Sequence, residues 1–431
     1  MPIMAIFIIL LIKYSYHSFY MLFASHFLLL IGGGYVDIKI GAMSLIATLS
    51  IFFLILIRNI YQHISWKNSF NAMLLIYLLW LVFCVAEIMN PNNVQEAWDI
   101  AIPQYAVYPI VCAILVPVYI KKTRNIEYLL IIWSIFILIF AAKGYWQKNH
   151  GFNSRELYFL YVLGGAKTHF IWSGIRFFSF FSDAANFGVH MAMAATCYTI
   201  SLFYIKNNWL KLYFVAVIIA SIYGMGISGT RAAMAIPLGG LALFIILSYN
   251  WRIFLLGLIA FLSIFIFFRY TEIGDDNQYV HKMRTAFAPT EDASYMVRIE
   301  NRKKIREYMA NKPFGYGIGL GSKAERFKPK ELIATPPDSW LVNVWTDTGI
   351  VGLIFFFILH ITLFALCAWN LRFKINDNQL KGLLTAWLCV NAGFFIAAYA
   401  NDVMQYPNSI ILYTGFALCF AGPHIDKSIE K

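Results

Sequence analysis

Charged residues are scarce in this sequence, and their scarcity is the first guide to its class. Only 13% of the 431 residues are charged, whereas 60% are hydrophobic, and the mean hydropathy is +0.65. Soluble domains carry roughly a quarter charged residues and about half apolar residues. The composition therefore excludes a soluble globular protein and a disordered one, and it predicts a chain that crosses a lipid bilayer many times.

Cysteine and clusters of metal ligands are also sparse. The six cysteines all lie inside apolar runs, and none forms a Cys-x-x-Cys motif. We therefore expect neither a zinc site nor a structural disulfide, and the cysteines should pack as small hydrophobic residues. No His, Cys and Asp residues share the spacing of metal ligands, so the sequence predicts no metal site.

Long apolar runs, in contrast, fill most of the chain. A run of about 17–25 apolar residues is typical of a membrane-spanning helix, because backbone groups in hydrocarbon must bond to one another. The sequence predicts an all-α, polytopic membrane protein with about 12 transmembrane helices, forming a single integral membrane domain over residues 1–431. The predicted spans are Ser18–Gly34, Gly41–Ile57, Phe70–Ile88, Gln104–Ile120, Asn125–Ala142, Ala184–Ile205, Leu210–Ile227, Ala232–Tyr249, Ile253–Phe268, Val344–Leu371, Gly382–Ala400 and Pro407–Ala421.

The basic residues indicate how these spans are oriented. Lys and Arg concentrate in alternate short turns, for example at Lys121, Lys122 and Arg124, and this bias marks the cytoplasmic side. Both termini are then predicted to be cytoplasmic. The net charge of +12 is a consequence of this topology, so no nucleic-acid partner is expected.

Two predicted outer segments are too long for simple connections. They are the outer loop 143–183 and the large outer loop 269–340, and segments of such length are usually folded or functional. The second should be partly helical, with a helix over Ala293–Asn311 that ends at Lys312-Pro313.

Charged side chains gather at the outer ends of the predicted spans. Transporters usually carry ionisable groups near the bilayer midplane, where this sequence has His360 as its main polar residue, interpreted as a packed core histidine. This distribution favours binding or chemistry at the outer boundary, on a substrate whose lipid tail stays in the membrane. The charged residues at outer ends are Arg176, Asp183, Arg231, Asp338, Asp347 and Asp402.

Several of these positions have a structural and a functional interpretation. Arg231 follows a stretch rich in small residues, Gly224–Thr230, and either complements an anion or extends to the membrane interface as a flanking residue. Ser182 or Asp183 is expected to cap the next helix. Arg298, Arg302 and Arg306 form an i, i+4, i+8 stripe, which is either a solvated face or a phosphate-facing one.

The glycine-rich segment Gly315–Lys323 does not indicate a nucleotide. It matches neither G-x-G-x-x-G nor G-x4-G-K-[ST], and no predicted strand precedes it. We expect a tight outer turn.

Taken in order, the motifs resemble those of the O-antigen ligase and O-antigen polymerase superfamily. The resemblance covers roughly Arg176–Leu353 together with the twelve-span layout and the late outer loop. Its motifs are Arg176–Gly188, Ser228–Arg231, Arg298, Asn311–Gly319, Pro336–Leu341 and Thr348–Leu353.

The resemblance implies a membrane glycosyltransferase that needs no metal, nucleotide or other cofactor. The donor would be an undecaprenyl-diphosphate-linked glycan in the membrane lipid, and the acceptor would be another glycan or lipid A–core. Whether a partner protein sets the length of the polysaccharide chain is left open. Arg231 and Arg298 would hold the diphosphate, with Arg176, Arg302, Asp347 and Asp402 as substrate-binding candidates. A polysaccharide or lipid-linked oligosaccharide transporter or flippase is the alternative.

One position departs from the superfamily pattern. Ligases carry a His where this chain has Asp338, so the sequence leaves ligase and polymerase both open. Asp338 is either the catalytic base or the N-cap of a helix beginning near Ser339. If it is a cap, Asp347 or Asp402 could supply the base.

Overall fold

The computed structural model describes residues 17–36, 39–61, 64–171, 174–248, 251–284, 287, 293–321 and 325–429. Within these ranges the chain is almost entirely α-helical. The first helices are α1 Ser18–Gly33, α2 Ile40–Tyr61, α3 Ala72–Ala86, α4 Gln95–Ile102, α5 Tyr108–Tyr119, α6 Thr123–His150, α7 Ser154–Tyr161 and α8 Ala166–His169. The remaining helices are α9 Ala184–Ser201, α10 Asn208–Ile227, α11 Ala235–Ser248, α12 Trp251–Tyr270, α13 Gln278–Arg284, α14 Ala293–Met309, α15 Lys330–Ala334, α16 Trp340–Phe373, α17 Asn378–Ala400 and α18 Asn408–Ile429.

The described part of the chain is predominantly α-helical, as predicted, and its helices are those expected of a polytopic membrane protein. Each of the twelve predicted spans overlaps a described helix, and eight helical segments among the described residues are long and apolar enough to cross a bilayer. The number twelve itself stays a prediction. The eight are Ile40–Ile60, Ala72–Met89, Gln95–Tyr119, Thr123–His150, Asn208–Ile227, Arg231–Ser248, Trp340–Phe373 and Asn378–Ala400.

The helical core is built around α9, α17 and α18. Almost every residue of α9 is buried, and its many Ala and Gly residues let neighbouring helices approach closely. Where α11 meets α17, a Cβ on Gly240 would lie 2.9 Å from the Cys389 carbonyl oxygen, so the missing side chain permits backbone contact. The six cysteines are all buried and free, as expected of small packing residues.

Buried histidines are more numerous than the sequence analysis anticipated. His360 is packed, as predicted, and lies 2.9 Å from the Phe356 carbonyl through Nδ1 and 3.3 Å from the Tyr77 hydroxyl through Nε2. His26 and His190 are equally buried inside α1 and α9. The description of His360 as the main polar residue within the spans was therefore wrong.

Both long outer segments contain regular structure. In segment 143–183, α6 continues to His150 and is followed by α7, α8 and a two-stranded antiparallel hairpin of β1 Phe170–Ile171 and β2 Gly174–Ile175. In segment 269–340, α14 confirms the predicted helix over Ala293–Asn311 to within two residues. A second small apolar core under α14 joins residues such as Ile305, Leu332 and Val342, so this segment packs onto the helix ends.

Candidate functional site

The turn Ser228–Arg231 is fixed by contacts from two sides. Gly229 adopts φ +57°, and the hydroxyl of Thr230 donates to the Ala184 carbonyl at 2.9 Å, where α9 begins. A Cβ at Gly188 would collide with the Ser228 hydroxyl, so only glycine lets α9 pack this closely on the turn. The turn therefore fixes the backbone position of Arg231, its last residue, from which the side chain extends.

Arg176 binds the same turn from the outer hairpin. Its Nε donates to the Ser228 carbonyl at 3.2 Å and its Nη2 to the Thr230 hydroxyl at 2.9 Å, while Nη1 donates to the Thr168 carbonyl at 3.2 Å. Burial is the main reason why the pKa of the Arg176 guanidinium is lowered. Asp183 raises that pKa, whereas the positive charges of Arg298 and Arg231 lower it further. Arg231 and Arg298 therefore each lie within electrostatic reach of Arg176.

The start of α9 is capped by two side chains. Asp183 accepts hydrogen bonds from the backbone N–H groups of Ala185 and Asn186 at 2.8 and 2.9 Å, which confirms the predicted cap. His169 accepts the N–H of Ala184 through Nε2 at 3.2 Å. Burial lowers the pKa of His169, which favours the neutral ring that this acceptor role requires.

Two members of the arginine stripe contact the last carbonyls of α17. Arg298 Nη1 donates to Ala400 O at 3.0 Å, and Arg302 Nη2 donates to Tyr399 O at 2.8 Å. The Arg302 guanidinium also lies 4.3 Å from the centre of the Tyr399 ring. Arg306 is exposed. Arg298 and Arg302 therefore contact α17, whereas Arg306 is exposed at the surface.

Arg298 and Arg302 line a small, open pocket together with Asp338. Asp338 does not cap α16: the N-cap is Ser339, whose hydroxyl donates to Ala398 O at 3.1 Å, and the N–H of Trp340 donates to Asn401 O at 3.3 Å. The cap interpretation of Asp338 was therefore wrong, because the chain reaches the helix start one residue later.

The pKa of Asp338 is raised, chiefly because the pocket shields its carboxyl group from solvent, although part of the residue is exposed. Arg298, Lys328 and Arg302 lower it, whereas the negative charge of Asp402 raises it. Asp402, Arg298 and Arg302 therefore lie within electrostatic reach of Asp338. A carboxyl group with a raised pKa is a stronger base once it is ionised.

Asp402 lies in the short connection between α17 and α18. Among the described residues, its Oδ1 is buried without a hydrogen-bond partner, and its Oδ2 is 3.4 Å from Gln405 Nε2. Gln405 in turn accepts the Ser182 hydroxyl at 3.0 Å. The connection is thus bound to the segment that precedes α9.

A buried polar chain, which the sequence analysis missed, continues inward from this connection. Asn408 Nδ2 donates to Asn186 Oδ1 at 3.2 Å, and Asn408 Oδ1 lies 2.9 Å from His190 Nδ1. Trp133 donates its indole N–H to His190 Nε2 at 3.0 Å, so Nδ1 carries the proton and donates to Asn408. Single polar residues inside the apolar runs of α9 and α18 were the available signal.

Asp347 lies inside the protein and organises the glycine-rich segment. Its carboxylate accepts the Tyr105 hydroxyl at 2.9 Å and the N–H groups of Gly319 and Gly321 at 3.0 and 2.6 Å. Gly317 donates its N–H to the Asp347 carbonyl at 3.0 Å, and Gly349 breaks α16 with φ +67°. The described residues Gly315–Gly321 form the tight turn expected from the sequence, docked on the kink in α16.

Asp347→Ala should therefore destabilise the folded protein. Three buried donors would lose their acceptor, each at a cost of about 1–3 kcal/mol. We expect a clearly lower midpoint of thermal unfolding for the purified protein in detergent. Asp276→Ala, at an exposed position, is the control and should leave the midpoint unchanged. An unchanged midpoint in Asp347→Ala would contradict this role.

Comparison with known proteins agrees with the motif order. A family model described as O-antigen ligase matches residues 215–357. No curated protein matches the chain at a significant level. The matched segment contains Arg231, Arg298, Arg302, Asp338 and Asp347, whereas Arg176 and Asp402 lie outside it. The family indicates a membrane enzyme of the glycosyltransferase type. Residues 215–357 are therefore similar to the O-antigen ligase family, which supports the resemblance to the O-antigen ligase and O-antigen polymerase superfamily.

Proposed function

We propose that the protein transfers a glycan from undecaprenyl diphosphate to a sugar hydroxyl at the outer face of the bacterial plasma membrane. The observation that carries the proposal is that Arg231 and Arg298 both lie within electrostatic reach of Arg176, while Arg298 lines one pocket with Asp338. Cations near one another repel, and a bound diphosphate would relieve that repulsion. Guanidinium groups suit phosphate because they offer paired N–H donors.

The reaction is a displacement at the anomeric carbon of the donor sugar. The acceptor oxygen forms the new bond to that carbon, while the bond from carbon to the diphosphate oxygen breaks and the diphosphate leaves with the electron pair. Arg231 and Arg298, with Arg176, stabilise the charge that develops on it. Asp338 accepts the proton of the attacking hydroxyl, and Arg302 and Asp402 shape the pocket around it.

Deleting the gene and analysing the surface polymers tests this proposal. A ligase deletion should leave lipid A–core without long chains while free lipid-linked polymer remains. A polymerase deletion should leave single-repeat products. Lipid-linked glycan that accumulates on the cytoplasmic leaflet would instead indicate a flippase and contradict the proposal.

Orientation can be tested independently of activity. If α14 faces the periplasm, Lys303→Cys should react with an impermeant maleimide in intact spheroplasts, because residue 303 is exposed. Asn376→Cys, exposed at the opposite end of α16, should react only after permeabilisation. The native cysteines are buried and provide a low background. The reverse labelling pattern would place the arginines in the cytoplasm and refute the proposed site.

A further inference from the structure

The short helix α7, which follows the long helix α6, has an unusually apolar exposed face. Leu157, Tyr158, Tyr161 and Val162 lie on one side of α7, at i, i+1, i+4 and i+5. Tyr161 is 69% exposed and Val162 63% exposed, and Leu163 continues the patch at 64%. A contiguous patch of apolar side chains this exposed is expected to contact lipid or another protein.

The opposite side of α7 is firmly attached to the protein. Glu156 forms a buried ion pair with Lys143 of α6, with Nζ and Oε1 2.7 Å apart, and accepts the Asn153 N–H at 2.8 Å. Leu160 is fully buried and packs in a small core with Phe178 and Ala184. Because these contacts attach the opposite side of α7 to the protein, its apolar face points outward.

The length of α6 places α7 at the level of the membrane boundary. The apolar part of α6 runs from Tyr128 to Ala142, so it spans about 22 Å of the roughly 30 Å of a hydrocarbon core. Since Glu156 binds Lys143, α7 lies where α6 leaves the hydrocarbon. Tyr145 and Trp146, just beyond this point on α6, are also exposed, as in the aromatic belts of membrane proteins.

We propose that α7 lies in the interface of the outer leaflet, with Leu157, Tyr158, Tyr161 and Val162 among the lipids. Tyrosine suits this position because its ring is apolar and its hydroxyl reaches water. The exposed Lys167 lies on α8, where its ammonium group complements the phosphates of lipid headgroups. A lipid surface therefore explains both the apolar face and the neighbouring charge.

This placement has a consequence for Arg176. The Thr168 and His169 carbonyls, which follow α7 in the chain, accept hydrogen bonds from the side chain and the backbone N–H of Arg176. An α7 anchored in the interface holds this hairpin, and with it Arg176, at headgroup level. The inference concerns membrane contact and does not rest on the proposed transfer reaction.

A nitroxide label on Val162→Cys tests the inference in the full-length protein. The purified variant is placed in nanodiscs of phosphatidylethanolamine and phosphatidylglycerol, and the label is probed with oxygen and a water-soluble nickel chelate. Oxygen should relax the label more strongly than the chelate does. Lys303→Cys on α14, exposed to water in the same fold, is the control and should show the opposite ratio.

Two results would overturn the inference. A label at position 162 that the nickel chelate reaches as readily as it reaches position 303 would place α7 in water. A label shielded from both reagents would indicate that a second protein surface covers the helix. Leu157→Cys, one turn earlier on the same face, gives a second measurement should Val162→Cys fail to fold.

Discussion

Arg298→Ala is expected to lower the rate of glycan transfer by about one to two orders of magnitude. Loss of one charge-assisted hydrogen bond costs about 1.5–3 kcal/mol, and each 1.4 kcal/mol corresponds to about tenfold in rate. Arg298 lines the pocket that contains Asp338 and lies within electrostatic reach of Arg176. Its loss would therefore remove a cation from the point where the leaving diphosphate gains charge. The measurement is initial rate with purified protein and lipid-linked donor.

Arg306→Ala is the matched control, because Arg306 lies on the same helix but is exposed at the surface. It should retain the wild-type rate. Arg298→Lys keeps the charge but loses the planar fork, and should remain strongly impaired. Since Arg298 also donates to Ala400 O, thermal unfolding must show that each variant is folded. A folded Arg298→Ala variant with wild-type transfer would remove Arg298 from the site.

Asp338→Asn should have the larger effect, a loss of about 10²–10⁴-fold in the rate of transfer. A general base contributes a factor of this size, and an amide cannot accept the proton. The structure makes the experiment informative, because Ser339 and not Asp338 occupies the N-cap of α16. Asparagine at 338 should therefore leave stability almost unchanged while it removes the base.

The pH profile provides a second measurement of the same role. The base must be ionised, so the rate should fall as the pH drops through the pKa of Asp338, which the loss of solvent in the pocket raises. Arg298 lowers that pKa, so Arg298→Ala should move the acid limb of the profile to higher pH. Asp402 raises it, so Asp402→Asn should move the limb to lower pH. A full rate in Asp338→Asn, or limbs that move the opposite way, would exclude Asp338 as the base.

Sequence alone predicted the helices well, because membrane spans are defined by composition and length. The helix over Ala293–Asn311 was also predicted closely, since Lys312-Pro313 marks its end. The break at Gly349 was not predicted, because it depends on the glycine-rich segment docking there. A contact between segments that are distant in the chain leaves no pattern in the local sequence from which it could be predicted.

The candidate site shows the same limit. The sequence indicated which arginines and carboxylates lie at outer helix ends, but not which carboxylate is buried. Asp347 and Asp338 are only nine positions apart, yet Asp347 binds backbone N–H groups of the glycine turn whereas Asp338 faces the pocket. The partners of His190 also come from different helices, so periodicity could not identify them.

Reconstituted transfer is the most direct test of the central claim, that the arginines hold a lipid diphosphate while its glycan is moved. Lipid-linked glycan and acceptor extracted from a strain that lacks the gene would be mixed with the purified protein in nanodiscs. We predict that glycan appears on the acceptor and undecaprenyl diphosphate is released in equal amounts, and that Arg298→Ala slows both while Arg306→Ala slows neither. Glycan that remains on its lipid with the folded wild-type protein, or transfer that is indifferent to Arg298, would contradict the account.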